Sequence, residues 1–199
     1  ATVSDAYGAS DSTAVSVMVD NTAPVSAGVS LTPLVAYNDS TLSCAVSASD
    51  ADSQALTESW SWSNLSSGAA LGSGANLTLD SALASPGDEI ACTVVVSDGD
   101  LSVSDSSSVT LDNRPPNQPV VAISPDPATS LNILQCLLNS AIDPDGDVVT
   151  ASYEWYVNSV LSPAQTSATY GGSIASGDVV ACSVVLSDGS LSSTPGLAS

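Results

Sequence analysis

The sequence predicts an all-β chain of two sandwich domains in tandem, and three observations predict it. Text recurs at a spacing of about ninety residues, each copy holds one pair of cysteines, and short alternating apolar runs are punctuated by Gly, Asn, Asp and Ser. The 199 residues include 21 acidic side chains against one basic side chain, Arg114, and no histidine, for a net charge of -20. Such a charge repels nucleic acid and anionic membrane surfaces. No apolar run approaches the roughly 18 residues of a spanning helix, so no membrane insertion is expected. Phenylalanine is absent and the apolar residues are mostly Val, Ala and Leu, which suits thin cores.

Four matches define the repeat. "STLSCAVSASDAD" answers to "NILQCLLNSAIDPD", "ESWSWSN" to "SYEWYVN", "SPGDEIACTVVVSDG" to "IASGDVVACSVVLSDG", and "VDNTAPV" to "LDNRPPNQPV". The period is too long for a solenoid unit and fits a string of small domains. In the first copy strands are expected near 25–32, 41–48, 55–63, 75–80, 89–97 and 103–111. In the second they are expected near 118–124, 132–139, 148–157, 166–170 and 179–186. Leu42, Cys44 and Val46 alternate onto one face, as do Trp60 and Trp62. The Ser-rich stretches "SDSSSV" and "SNLSSGAALGSG" read as mobile loops.

One cysteine pair per copy suggests the bridges Cys44–Cys92 and Cys136–Cys182. Closing loops of that length stabilises each domain by roughly 4 kcal/mol in the chain-entropy model. A domain of about ninety residues with few aromatics needs such help. Disulfides also place the chain in an oxidising compartment, outside the cytosol. A four-cysteine zinc site is the alternative, but it has no CxxC and no His to build on.

Between the members of each cysteine pair sits a tryptophan, Trp62 or Trp155. A Cys…Trp…Cys series in a short-stranded domain marks the immunoglobulin sandwich, with the indole packed on the inter-sheet disulfide. The chain resembles the immunoglobulin-like or polycystic-kidney-disease-type repeats strung through large bacterial surface proteins. The shared text is an "NxxPV…P" start, a "C…DxDGD…YxW" middle and a "GDxxxCxV…SDG" ending. The resemblance covers nearly the whole chain and specifies fold more than activity. One departure is that Ile90 and Val180 stand where the tyrosine of a tyrosine corner is usual, so no such corner is expected.

Candidate sites are few. Asp143, Asp145 and Asp147 in "DPDGD" place carboxylates at every second position around a Gly, a pattern that can wrap Ca²⁺ or simply close a polar turn. The first copy keeps only Asp50 and Asp52. No other cofactor is implied. Asp98-Gly99 and Asp188-Gly189 read as hairpin turns. Asn38, Asn64 and Asn76 head three N-glycosylation sequons. Catalysis has little to stand on, with no His and only Glu58, Glu89 and Glu154 among glutamates, so the chain reads as non-enzymatic. Arg114 precedes a proline, which leaves trypsin-like proteases almost no site.

The domains are expected at 22–113 and 114–199, joined by short Pro-containing linkers that stiffen the chain. Two such sandwiches extend about 7 nm, from about ten residues of strand at ~3.4 Å each per domain. Residues 1–21 read as an orphan terminal strand and linker. Thr13, Val15, Val17 and Val19 repeat the pattern of a last strand, while the second copy lacks most of its own. The expectation is a structural subunit of an extracellular or cell-surface filament. Residues 9–20 of one copy would complete the second domain of the next, so that the chain self-associates head to tail and carries glycans. The rival account of the ends is one period cut from a longer tandem protein. The rival function is a stalk or ligand-binding module of a bacterial adhesin, with Tyr7, Tyr37 and Tyr170 as its candidate aromatics.

Overall fold

A computed structural model describes residues 2–199. It opens with a hairpin, β1 (Thr2–Ser4) and β2 (Ser10–Ser12), whose turn is closed by Asp5: its Oδ1 accepts the amides of Tyr7 and Ala9 at 2.9 and 3.0 Å. The first dozen residues are therefore two short strands and not one. Of the expected strand 9–20, Ser10–Ser12 forms β2.

The first domain has one sheet of β3 (Val25–Thr32), β4 (Thr41–Ser49) and β7 (Asn76–Thr78). Facing it is a sheet of β6 (Ala69–Ser73), β5 (Thr57–Asn64), β8 (Glu89–Ser97) and β9 (Ser102–Thr110), each group given in spatial order. The second domain repeats this plan. Its three-stranded sheet is β10 (Val120–Ser124), β11 (Leu134–Ser140) and β14 (Thr169–Tyr170). The four-stranded sheet is β13 (Val160–Leu161), β12 (Thr150–Val157), β15 (Val180–Ser187) and β16 (Gly196–Ala198). Both are immunoglobulin-like sandwiches.

Each disulfide ties one sheet to the other. Cys44 on β4 bonds Cys92 on β8, and Cys136 on β11 bonds Cys182 on β15. Cross-strand register fixes what covers each bridge. Trp62 lies opposite Cys92, and Trp155 opposite Cys182. Directly paired residues point to the same face of a sheet, so each indole is delivered into the core beside its disulfide. Both rings are fully buried. The polar edge of each is satisfied too, since Trp62 Nε1 donates to the Gly74 carbonyl and Trp155 Nε1 to that of Ser167, both at 2.8 Å.

Serine does not prevent strand formation here. "SDSSSV" lies inside β9, paired along its length with β8, and "SNLSSGAALGSG" forms the β5–β6 hairpin. Neither is a loop throughout. Main-chain pairing needs no apolar side chain, and the hydroxyls occupy the outward face. Gly68 (φ +76°) ends the tight turn of that hairpin, a conformation that disfavours any side chain.

The two cores end differently. In the first domain Ile90 pairs with Val109, and Ala36, Val109 and Leu111 seal that end of the sandwich. In the second, β16 pairs only with Cys182–Val184 of β15. Val180 stays half-exposed there, on a groove of about 920 Å³ lined by Val121, Ile123, Ile174 and Leu197. Trp62→Ala is expected to cost about 3–5 kcal/mol and leave the first domain largely unfolded. Urea denaturation followed by circular dichroism measures it, and a loss under 1 kcal/mol would contradict the packing described.

Candidate functional site

The most constructed polar sites are where each linker meets the next domain, and they occur twice with the same geometry. Asp20-Asn21-Thr22 precedes the first domain and Asp112-Asn113-Arg114 the second. Asn21 Nδ2 donates to Asp98 Oδ2 at 3.1 Å, and Asn113 Nδ2 donates to Asp188 Oδ2 at 3.0 Å. The amide of Thr22 donates to Asp52 Oδ2 at 2.7 Å, and that of Arg114 to Asp145 Oδ2 at 2.6 Å. Two residues further on, Pro24 and Pro116 are buried against their domains.

Turn aspartates organise these docks. Asp98 Oδ1 accepts the amides of Asp100 and Leu101 at 2.8 and 2.7 Å, and Asp188 Oδ1 accepts those of Ser190 and Leu191, both at 2.6 Å. One oxygen folds the turn and the other holds the linker. The backbone bond from Leu101, against some burial, lowers the Asp98 pKa below the usual carboxylate range, and the bond from Leu191 does the same for Asp188. Beside them Asp50 Oδ1 accepts the amides of Asp52 and Gln54, as Asp143 Oδ1 accepts those of Asp145 and Asp147. That acceptance holds Asp52 and Asp145 where they meet the linker.

The second dock has one addition. Arg114 Nε and Nη2 donate to Asp145 Oδ1 at 2.9 and 2.7 Å, and Nη2 lies 3.1 Å from Asp39 of the first domain. Its guanidinium sits 4.6 Å above the Tyr37 ring. Hydrogen bonding to Asp145 holds the Arg114 pKa above its ordinary value. Asn38 Nδ2, also of the first domain, donates to the Asp145 carbonyl at 2.6 Å. The sole cation of the chain is thus shared by two domains. The Asp145 side chain is fully buried under it, a charge that would be costly there without this partner.

This geometry revises several expectations. Asp143, Asp145 and Asp147 do not converge on one ion, and no three acidic, His or Cys side chains do so among the described residues. Asp145 is instead committed to Arg114. Asn38 and Asn64 are 2 % and 1 % exposed, and their Nδ2 atoms are occupied, by the Asp145 carbonyl and by Asp88 Oδ2. A sugar on either nitrogen has no room in the folded domain. Of the three sequon asparagines only Asn76 is exposed. Tyr37 lies under Arg114 and Tyr170 is buried against Trp155, so of these three tyrosines Tyr7 is the one with an open ring. Glu89 accepts from Ser108 Oγ and Glu154 from the Tyr156 hydroxyl, both at exposed strand positions. The docks themselves were missed as sites, although the recurrence of "DN" before each domain and "SDG" within it was their signal.

No protein-family model and no curated protein matches the sequence. Among solved structures the chain is similar to the I-band fragment I67-I69 from titin, at 15% identity and TM-score 0.41, over 88% of this chain and 64% of that one. It is similar to domains A168-A170 from titin at 11% identity and TM-score 0.33, over 90% of this chain and 60% of that one. The N-terminal four Ig domains of Dscam1 isoform 4.44 match at 12% identity, TM-score 0.31, over 91% and 46%. The chain spans less than two thirds of each of these, and scores this low give no basis for function.

Arg114→Ala is expected to leave Asp145 buried without its partner, costing about 3–5 kcal/mol, and to free the joint between the domains. Small-angle scattering should show a broader distribution of interdomain distances, with Arg114→Lys intermediate. Acid should loosen both docks. The folded pKa values of Asp98 and Asp188 lie below their unfolded ones, so their contribution is present above the unfolded pKa and is lost as pH falls through the folded value. The scattering profile should therefore hold steady from neutral pH to about pH 4 and broaden below it.

Proposed function

We propose that this chain is a structural module of an extracellular fibre or surface array, in which successive sandwiches are locked end to end by their linkers. The twice-built dock carries this reading. A flexible tether needs no bonds to the domain that follows it, whereas here each linker is pinned through a side-chain amide, a backbone amide and a buried proline. The disulfides favour an oxidising, extracytoplasmic setting. The acidic surface with a single cation suits a soluble, protease-poor material. Asn76 is the sequon suited to carry sugar.

The finer reading is head-to-tail self-association by strand donation. Counting back from the shared Asp-Asn, Val17 and Val19 match Val109 and Leu111, which seal the first domain. Val15, Val17 and Val19 are 87%, 80% and 86% exposed. The second domain offers an open groove where the matching residues of the first are filled. An exposed apolar strip and an unsealed sandwich end are complementary in kind.

Electron microscopy and light scattering of the purified chain are expected to show fibres, and deletion of residues 2–20 to abolish them. Monomers of the intact chain would remove the filament reading. Fibres from the truncated chain would remove strand donation alone.

A further inference from the structure

Five buried side-chain nitrogen or oxygen atoms among the described residues have no hydrogen-bond partner: Asp50 Oδ2, Gln54 Oε1, Trp60 Nε1, Asn113 Oδ1 and Asp143 Oδ2. Four of the five are acceptors, and all four belong to the linker docks. Two of them, Asp50 and Asp143, correspond by repeat. Asp50 matches Asp143, each with its Oδ1 occupied by two turn amides and its Oδ2 left bare. Gln54 matches Asp147, and Asn21 matches Asn113.

Burying an acceptor without a donor is costly, and more so for a carboxylate. Asp143 is only 8% exposed, so its bare oxygen is not relieved by bulk solvent. The chain cannot supply the missing donor from a cationic side chain, because it has no Lys or His and Arg114 is committed to Asp145 and Asp39. What the docks leave unpaired, apart from hydrogen bonds already made, is oxygen with negative charge. At the second dock a cleft of about 460 Å³ runs between the domains and is lined by Asn113, Asp147 and Asp188, among others.

We propose that each dock binds a divalent cation of the calcium type. Asp143 Oδ2, Asn113 Oδ1 and the Asp147 carboxylate hold it at the second dock, and Asp50 Oδ2, Gln54 Oε1 and Asn21 Oδ1 at the first. All six groups are hard oxygen donors, the set that Ca²⁺ prefers. The ligand set differs from the three alternate aspartates of "DPDGD": Asp145 is excluded because Arg114 neutralises it, and the linker asparagine takes its place. Each set has no more than two carboxylates, which agrees with the absence of a grouped acidic triad. Exposed Asp147 is free to turn onto the ion. The linker asparagine would then bind the next domain through both ends of its amide, the nitrogen to Asp188 and the oxygen to the ion. This deepens the reading of the docks as locks, without requiring that the chain form fibres.

The test is calorimetric titration of the intact chain with CaCl₂, alongside its thermal midpoint in CaCl₂, MgCl₂ and NaCl of equal ionic strength. The expected result is two binding events and a midpoint raised by CaCl₂ beyond either control. Asp147→Asn removes a ligand charge and no hydrogen bond that the fold uses, and it should weaken the tighter event about tenfold. Asp143→Asn keeps the turn through its remaining oxygen and should weaken the same event. An equal midpoint in all three salts would reduce the effect to screening of the acidic surface and overturn the proposal. So would an unchanged titration in both variants. Binding without fibres, or fibres without binding, separates the fate of this inference from that of the filament.

Discussion

Everything beyond a single domain depends on how one aspartate uses its two oxygens. In Asp98 and Asp188 the first oxygen closes a hairpin turn by taking two backbone amides, which fixes the carboxylate in space. The second is then aimed, without further ordering cost, at the asparagine of the incoming linker. The entropy of placing the group is already spent by the turn. Capture of the linker therefore depends on the folded domain, and the dock exists only when the sandwich that carries it is formed.

The same economy explains why a chain with one cation can hold two acidic domains together. Arg114 bonds Asp145, lies over Tyr37 and approaches Asp39, so charge, planar hydrogen bonding and ring stacking are all drawn from one side chain. Asn38 adds a bond from the opposite side. The side-chain bonds across this joint are all polar.

Much of the fold was legible in the sequence because the repeat supplied each observation twice. The cysteine pairs, the tryptophans between them and the alternation around Cys44 and Cys136 are local signals, and strands of eight or nine residues such as β4, β5 and β8 fall within a residue or two of their expected bounds. The edge strands β13 and β16, of two and three residues, were not legible, although the equally short β7 and β14 fall inside the expected 75–80 and 166–170. The docks were hidden for another reason. Asp98 and Asp145 satisfy a turn and a linker at once, and a sequence shows the turn residue without showing which oxygen remains. Asn38 and Asn64 misled in the opposite direction, since a sequon specifies three residue types and says nothing of burial.

The two docks are not equal, and the difference has a mechanical consequence. Thr22 contributes a backbone amide where Arg114 contributes the same amide together with a guanidinium. Pulled along its axis, the chain would carry the same tension through both joints in series. The threonine joint would let go first, lengthening the molecule while the arginine joint and the disulfide-closed sandwiches stay intact. A material made of such units would have a yield point set by a one-residue difference between linkers, and it would recover its length on release, because the turn that rebuilds the joint is never lost.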